Sequence, residues 1–152
     1  MGATVGDSIE IAASPEAVYD MVSDVTRMSE WSPEQSATKW VGGATGPVVG
    51  ARFRGTNRIG WHRWSTSCKV IDATPGKRFA FHVSDYGFAV SDWIYEFEPT
   101  PTGCKVTEST IDRRGFIIRV GGGPVTGVYD RSSHNLEGIR TTLAALKAAA
   151  EA

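Results

Sequence analysis

Cysteine is scarce in this chain, with two in 152 residues, and neither Cys68 nor Cys104 has a partner nearby in sequence. Both fall inside segments that read as strands, which points to free thiols in a reducing compartment and away from a disulfide-stapled scaffold. An excess of charge of one sign is missing too. The 16 basic residues face 17 acidic ones, and a net charge of −1 supplies no global field toward nucleic acid or acidic membranes. No apolar run reaches the roughly 20 residues that cross a bilayer, so no stable membrane insertion is expected. The opening MGATVGDSIEI lacks a basic stretch followed by an apolar one, and Gly6 stands where a myristoylation signal needs Ser or Thr. A cytoplasmic location is the expectation. The three histidines, His62, His82 and His134, are far apart and show no metal-ligand spacing, so neither a metal nor a cofactor is expected. There is no G-x-S-x-G elbow, and the glycines at 121–123 lack the Gly-Lys-Ser/Thr ending of a phosphate loop.

What the chain does have is aromatic bulk and a clear change of period. Five tryptophans and 17 glycines in a length suited to one domain, 1–152, suggest a β-rich unit with a sizeable core. Residues 4–12 alternate as a strand. Ser14-Pro15-Glu16 then signals a helix start, with a hydroxyl cap, a proline in the first turn and an acid at the positive end of the dipole. Ser23-Asp24 caps a second short helix that ends near Trp31, because Pro33 restricts Ser32. From about residue 36 the period falls to two. Strands are expected around 38–41, 51–59, 64–72, 78–86, 90–98 and 103–112, separated by a loop at 42–50 and by turns. In the second of these Phe53, Gly55, Asn57 and Ile59 face one way, and Arg52, Arg54, Thr56 and Arg58 the other. Residues 124–150 repeat apolar side chains at three- and four-residue steps and read as one long helix. Its C-terminal half is solid Leu and Ile and suits a core, whereas the other half could line a space. Strand, two helices, six strands and a long helix define an α+β fold with an antiparallel sheet.

One helix cannot cover a wide curved sheet, so the remaining concave area is filled by large side chains or left hollow. Phe53, Trp64, Phe79, Phe81, Trp93, Tyr95 and Phe97 are the candidates for that area. Trp93, Tyr95 and Phe97 share one face of their strand, and a buried Tyr95 hydroxyl would need a partner. Glu108 shares a face with Cys104, Val106 and Thr110. If that face points inward, Glu108 either pairs with an arginine or meets a polar cavity; otherwise it lies where the strand end twists into water.

Three stretches carry a family resemblance. The opening Ile9-Glu-Ile-Ala-Ala-Ser-Pro-Glu-Ala-Val-Tyr-Asp-Met-Val-Ser-Asp24 followed by Trp31, the hairpin Asp72-Ala-Thr-Pro-Gly-Lys-Arg-Phe-Ala-Phe81, and Trp93-Ile-Tyr-Glu-Phe-Glu-Pro99 with Gly103-Cys-Lys-Val-Thr107 resemble the SRPBCC (START/birch-allergen-like) superfamily, in its polyketide cyclase/dehydrase branch. The resemblance implies a helix-grip fold, in which a seven-stranded antiparallel sheet wraps around a long C-terminal helix with a hydrophobic cavity between them. In the aromatase/cyclases of that superfamily an arginine and a tyrosine inside the cavity handle the carbonyls of the substrate. The arginine position falls near Lys69 and the tyrosine position near Glu34 or Gln35, and neither matches.

The leading expectation is a binding protein for an apolar small molecule (lipid, polyketide or sterol-like), monomeric or homodimeric. Its ligand would meet Trp31, Phe53, Trp64, Phe81, Trp93, Tyr95, Glu108, Arg113, Phe116 and Tyr129. The alternative is a polyketide cyclase or dehydrase in which a base removes an α-proton while Tyr95 and Lys69 stabilise the enolate. A further alternative is a protein-interaction module with a vestigial cavity, working through an aromatic patch around Trp61 and Trp40.

Overall fold

The structure, a computed structural model, describes residues 4–114 and 131–152. Strand β1 (Thr4–Ile11) leads into helix α1 (Pro15–Ser23) and a 3₁₀ helix (Val25–Glu30). Six strands follow: β2 (Gln35–Val41), β3 (Arg52–Ile59), β4 (His62–Thr74), β5 (Arg78–Asp85), β6 (Phe88–Thr100) and β7 (Gly103–Asp112). Helix α2 is described over Arg131–Ala150. All seven strands form one antiparallel sheet in the order β1-β7-β6-β5-β4-β3-β2, a meander from β2 to β7 with β1 added beside the last strand. The start expected for the long helix at 124 and the glycines at 121–123 lie outside the described residues.

The local signals act as the sequence suggests. Ser14 Oγ accepts from Ala17 N at 3.1 Å and caps α1, with Pro15 in its first turn. Asp24 Oδ1 accepts from Thr26 N at 3.2 Å and caps the 3₁₀ helix, which closes when Trp31 N donates to Met28 O. The β4 and β6 strands run longer than expected because their turns are shorter. Tyr86 and Gly87 both have positive φ (50° and 80°), which makes a two-residue turn that starts β6 at Phe88.

The core fills one end of the sheet. Tyr19 of α1 packs edge-on against Phe79 and Phe97, with ring centroids 6.3 and 5.8 Å away. From Phe79 the aromatic chain continues through Phe81 and Phe53 to Trp40, at spacings of 6.0, 5.1 and 5.7 Å. Helix α2 runs alongside β1: Arg140 Nε donates to Asp7 Oδ2, Lys147 Nζ to Glu10 O, and Ala12 N to Glu151 Oε2, each at 2.9 Å. Seven residues of helix and three of strand both advance about 10 Å, so the two elements stay in step over this span. Ile139, Leu143 and Leu146 are buried against the sheet. Cys68 and Cys104 are both buried and free.

Candidate functional site

The opposite end of the sheet is not filled. There the N-terminal half of α2, the 3₁₀ helix and strands β3 to β7 enclose a cavity of about 110 Å³. At about 30 Å³ per water that is room for three or four waters, and a cavity of about 150 Å³ is known to admit benzene. The space is somewhat smaller than that.

Alternation on three strands builds the walls. Trp64, Phe81, Val83 and Trp93 supply apolar surface, and Met28 closes it from the 3₁₀ helix. Trp93 is oriented by its indole N–H, which donates to Ser91 Oγ at 3.0 Å. Tyr95 and Glu108 are register partners on β6 and β7, and both point inward. Tyr95 OH donates to Glu108 Oε2 at 2.7 Å, and the two residues are only 5% and 2% exposed. Burial pushes the Glu108 carboxyl up to about 8 despite the tyrosine hydrogen bond, which favours the charged form. Burial, then the adjacent carboxylate, raises the Tyr95 hydroxyl well above its ordinary value. Burial thus favours the neutral acid form of Glu108. Among the described residues its Oε1 has no hydrogen-bond partner, and neither does Gln35 Oε1, which also borders the cavity. Asn57 Nδ2 donates to Thr66 Oγ1 at 3.1 Å on a third side. The floor is therefore polar and incompletely satisfied.

Charged groups mark the mouth. Arg114 holds Asp112 with two side-chain hydrogen bonds of 3.0 and 2.9 Å. His134 Nε2 of α2 meets Glu34 Oε1 at 3.1 Å across 100 residues of sequence. Beyond that pair lies an outer groove of about 400 Å³, which shares Pro33, Glu34, His134 and Gly138 with the inner cavity.

Trp64, Phe81, Trp93, Tyr95 and Glu108 thus meet at one space. Lys69 does not join them. Its neighbours Cys68 and Val70 are buried, so the period of two turns Lys69 to the outer face, where it is exposed. This corrects the expectation of an enolate-stabilising cation at that position. Trp31 and Phe53 belong to the packed core, and Arg113 is exposed and bound to Asp92 at 3.1 Å. The arginine at the cavity is its neighbour Arg114. Phe116 and Tyr129 lie outside the described residues. The patch expected around Trp61 and Trp40 is not formed: Trp61 is 84% exposed at the β3–β4 turn, while Trp40 packs inward on Phe53. Asn57, Thr66 and His134 line the cavity without having been named among the expected ligand contacts. Asn57 carried a signal, because it shares the inward face of β3 with Phe53, and Gln35 stands where the family resemblance put a cavity tyrosine.

A seven-stranded antiparallel sheet gripping a C-terminal helix defines a helix-grip protein. Residues 2–151 match the family model described as polyketide cyclase / dehydrase and lipid transport, and the chain belongs to that family. The solution structure of a polyketide-cyclase-like protein from Corynebacterium glutamicum is 36% identical, with 97% of this chain and 90% of that one covered and a TM-score of 0.65. Half of the di-domain ARO/CYC StfQ from the steffimycin biosynthetic pathway aligns with 97% of this chain, at 15% identity and a TM-score of 0.75. The Aha1 dimer from Colwellia psychrerythraea aligns over 98% of this chain and 96% of its own, at 18% identity and 0.67. The last two likenesses concern fold alone. No curated protein matches the chain in sequence. Among the described residues, no helix is long and apolar enough to cross a membrane.

Proposed function

We propose that this protein binds a small, largely apolar molecule that carries a carbonyl or hydroxyl oxygen, with that oxygen at Glu108. The reading rests on one observation: a buried carboxyl has one oxygen engaged by Tyr95 and the other, among the described residues, unpartnered at the edge of the cavity. An unmatched buried polar atom costs about 1–3 kcal/mol, and a ligand oxygen that hydrogen-bonds there recovers part of that cost. The volume limits the inner portion of the ligand to about one ring, and any longer part extends past Glu34 and His134 into the outer groove. A lipid or polyketide would enter by one end, which sets aside a wholly enclosed sterol.

Calorimetric titration with cyclohexanone, which pairs a ring with one carbonyl, tests the reading. Saturable binding is expected, weakened at least tenfold in Glu108→Leu. Heat that does not saturate, or binding that is indifferent to Glu108→Leu, refutes it. Native mass spectrometry of protein purified from cells then asks whether a natural ligand is carried.

The same pair supports a second reading, a cyclase or dehydrase. A carboxyl that titrates near 8 can release and accept a proton at neutral pH, and Tyr95 could hydrogen-bond a developing enolate oxygen. Family membership and the 36%-identical polyketide-cyclase-like protein support this reading. Unchanged conversion of a poly-ketone substrate by both Tyr95→Phe and Glu108→Gln would remove it.

A further inference from the structure

Strand register on the outer face of the sheet sets cation against cation. Lys39 of β2 stands directly opposite Arg54 of β3, Arg52 of β3 opposite Lys69 of β4, and Arg58 opposite Arg63 on either side of the β3–β4 turn. All six side chains are exposed. Like charges directly opposite one another across a strand pair are destabilising, so this arrangement works against the fold three times over. Among the described residues, none of the six takes part in an ion pair, and Arg58 is engaged only with the Gly60 carbonyl at 3.0 Å. The acids at hand offer little relief. Asp85 feels the charge of Arg54, and Asp92 is already shared by His82 and Arg113. Asp7 and Glu10 lie on β1, at the opposite edge of the sheet, and Glu151 follows α2 beside that strand. A net charge near zero therefore conceals a local excess of positive charge on β2, β3 and β4.

Apolar side chains flank the cationic face at both ends. Val48 and Val49, 64% and 67% exposed, immediately precede β3, and Trp61, 84% exposed and stacked on His62 at 3.9 Å, follows it. The eight residues of β3 separate them by about 25 Å. Between them the exterior of β3 presents Arg52, Arg54, Thr56 and Arg58, without the aromatic or aliphatic anchor that a protein partner would bury. A bilayer offers negative charge across a broad surface and an apolar layer beneath every point of it, and tryptophan favours that interface.

We propose that the outer face of β2, β3 and β4 docks on an anionic lipid bilayer, with the six cations over the headgroups and Val48, Val49 and Trp61 entering the interface at the two ends. Association is peripheral and reversible, and it does not depend on what the inner cavity holds.

Co-sedimentation of the full chain with phosphatidylcholine vesicles, with and without phosphatidylglycerol, tests this at low and high salt. Retention is expected on the anionic vesicles at low salt, with little on neutral ones, and it falls as salt rises. Each cation removed weakens binding about fivefold, and charge reversal weakens it further. Arg54→Glu and Lys69→Glu each place opposite charges in register, so the thermal midpoint should hold or rise while binding is lost. That separates a docking defect from misfolding. Trp61→Ala should weaken binding at either salt concentration. Absence of retention on anionic vesicles at low salt overturns the proposal, as does retention unchanged in the double variant Arg54→Glu, Lys69→Glu. Binding to polyglutamate without binding to vesicles overturns it in favour of an acidic protein partner.

Discussion

Replacing Glu108 with Gln makes the energy stored in the cavity floor measurable. The carboxyl titrates at about 8 in the folded chain against an ordinary value of 4.5. Between those two pH values the folded protein holds a proton that the unfolded chain has released, so its stability declines as pH rises. The contribution of Glu108 is fully present below about pH 4.5 and is lost progressively toward pH 8. A gap of between about three and four pH units, each worth about 1.4 kcal/mol, amounts to several kcal/mol above pH 8 and somewhat less at pH 7. Gln is uncharged throughout and keeps an acceptor oxygen for the Tyr95 hydroxyl. Urea denaturation of both proteins from pH 5 to 8.5 isolates the effect, because every other titrating group cancels in the difference. The two should agree within about 1 kcal/mol near pH 5. Toward pH 8.5 the Gln variant should gain on the native protein by several kcal/mol. A difference that stays flat across that window would refute the reasoning, since it would mean that the folded and unfolded chains ionise Glu108 equally well.

Other substitutions probe the remaining parts. Tyr95→Phe leaves both Glu108 oxygens without a partner among the described residues; a loss of about 1–3 kcal/mol is expected by denaturation, with the carboxyl titrating higher still. Phe53→Ala opens a hole where Trp40 and Phe81 meet and should cost about 3–5 kcal/mol without altering cyclohexanone titration beyond what lost stability explains. In Gly103→Ala the new Cβ would stand 2.0 Å from the Ile11 carbonyl oxygen, so β1 must separate from β7 at that point, and a thermal midpoint within a few degrees of the native one would contradict the register. Lys69→Ala should leave cyclohexanone binding unchanged, as its side chain lies on the other side of the sheet.

The period of each strand was legible, and depth along the strand was not. The alternation of Phe53, Gly55, Asn57 and Ile59 against Arg52, Arg54, Thr56 and Arg58 appears in the structure residue by residue. The same rule placed Tyr95 and Glu108 on inward faces. It could not pair them, because that depends on the β6–β7 register, which the two-residue turn after Thr100 establishes. Phe53 and Trp64 illustrate the limit. Both are inward aromatics on neighbouring strands, yet Phe53 falls in the filled end beside Trp40, and Trp64 falls beside the cavity. Lys69 was misjudged for a simpler reason: its position followed a family pattern, while its own neighbours Cys68 and Val70 already reserved the inside. The split character of the long helix was visible in composition, and its described part bears this out. Ile139, Leu143 and Leu146 are buried in the core, whereas His134, Asn135 and Gly138 border the cavity.

That split has a mechanical consequence. Helix α2 is clamped toward its C-terminus by buried leucines and by Lys147 and Glu151 on the end of β1, but at His134 it rests over unfilled space. There it is held by His134 Nε2 on Glu34 Oε1 at 3.1 Å, a part-buried polar pair in place of buried leucines. On the ligand-binding reading proposed above, guests of different girth would be taken up by tilting that end, with the packed aromatics at the far end left undisturbed. Amide hydrogen exchange should accordingly run as a gradient down the helix, fast near Asn135 and slow near Leu146, and occupancy of the cavity should flatten that gradient from the fast side.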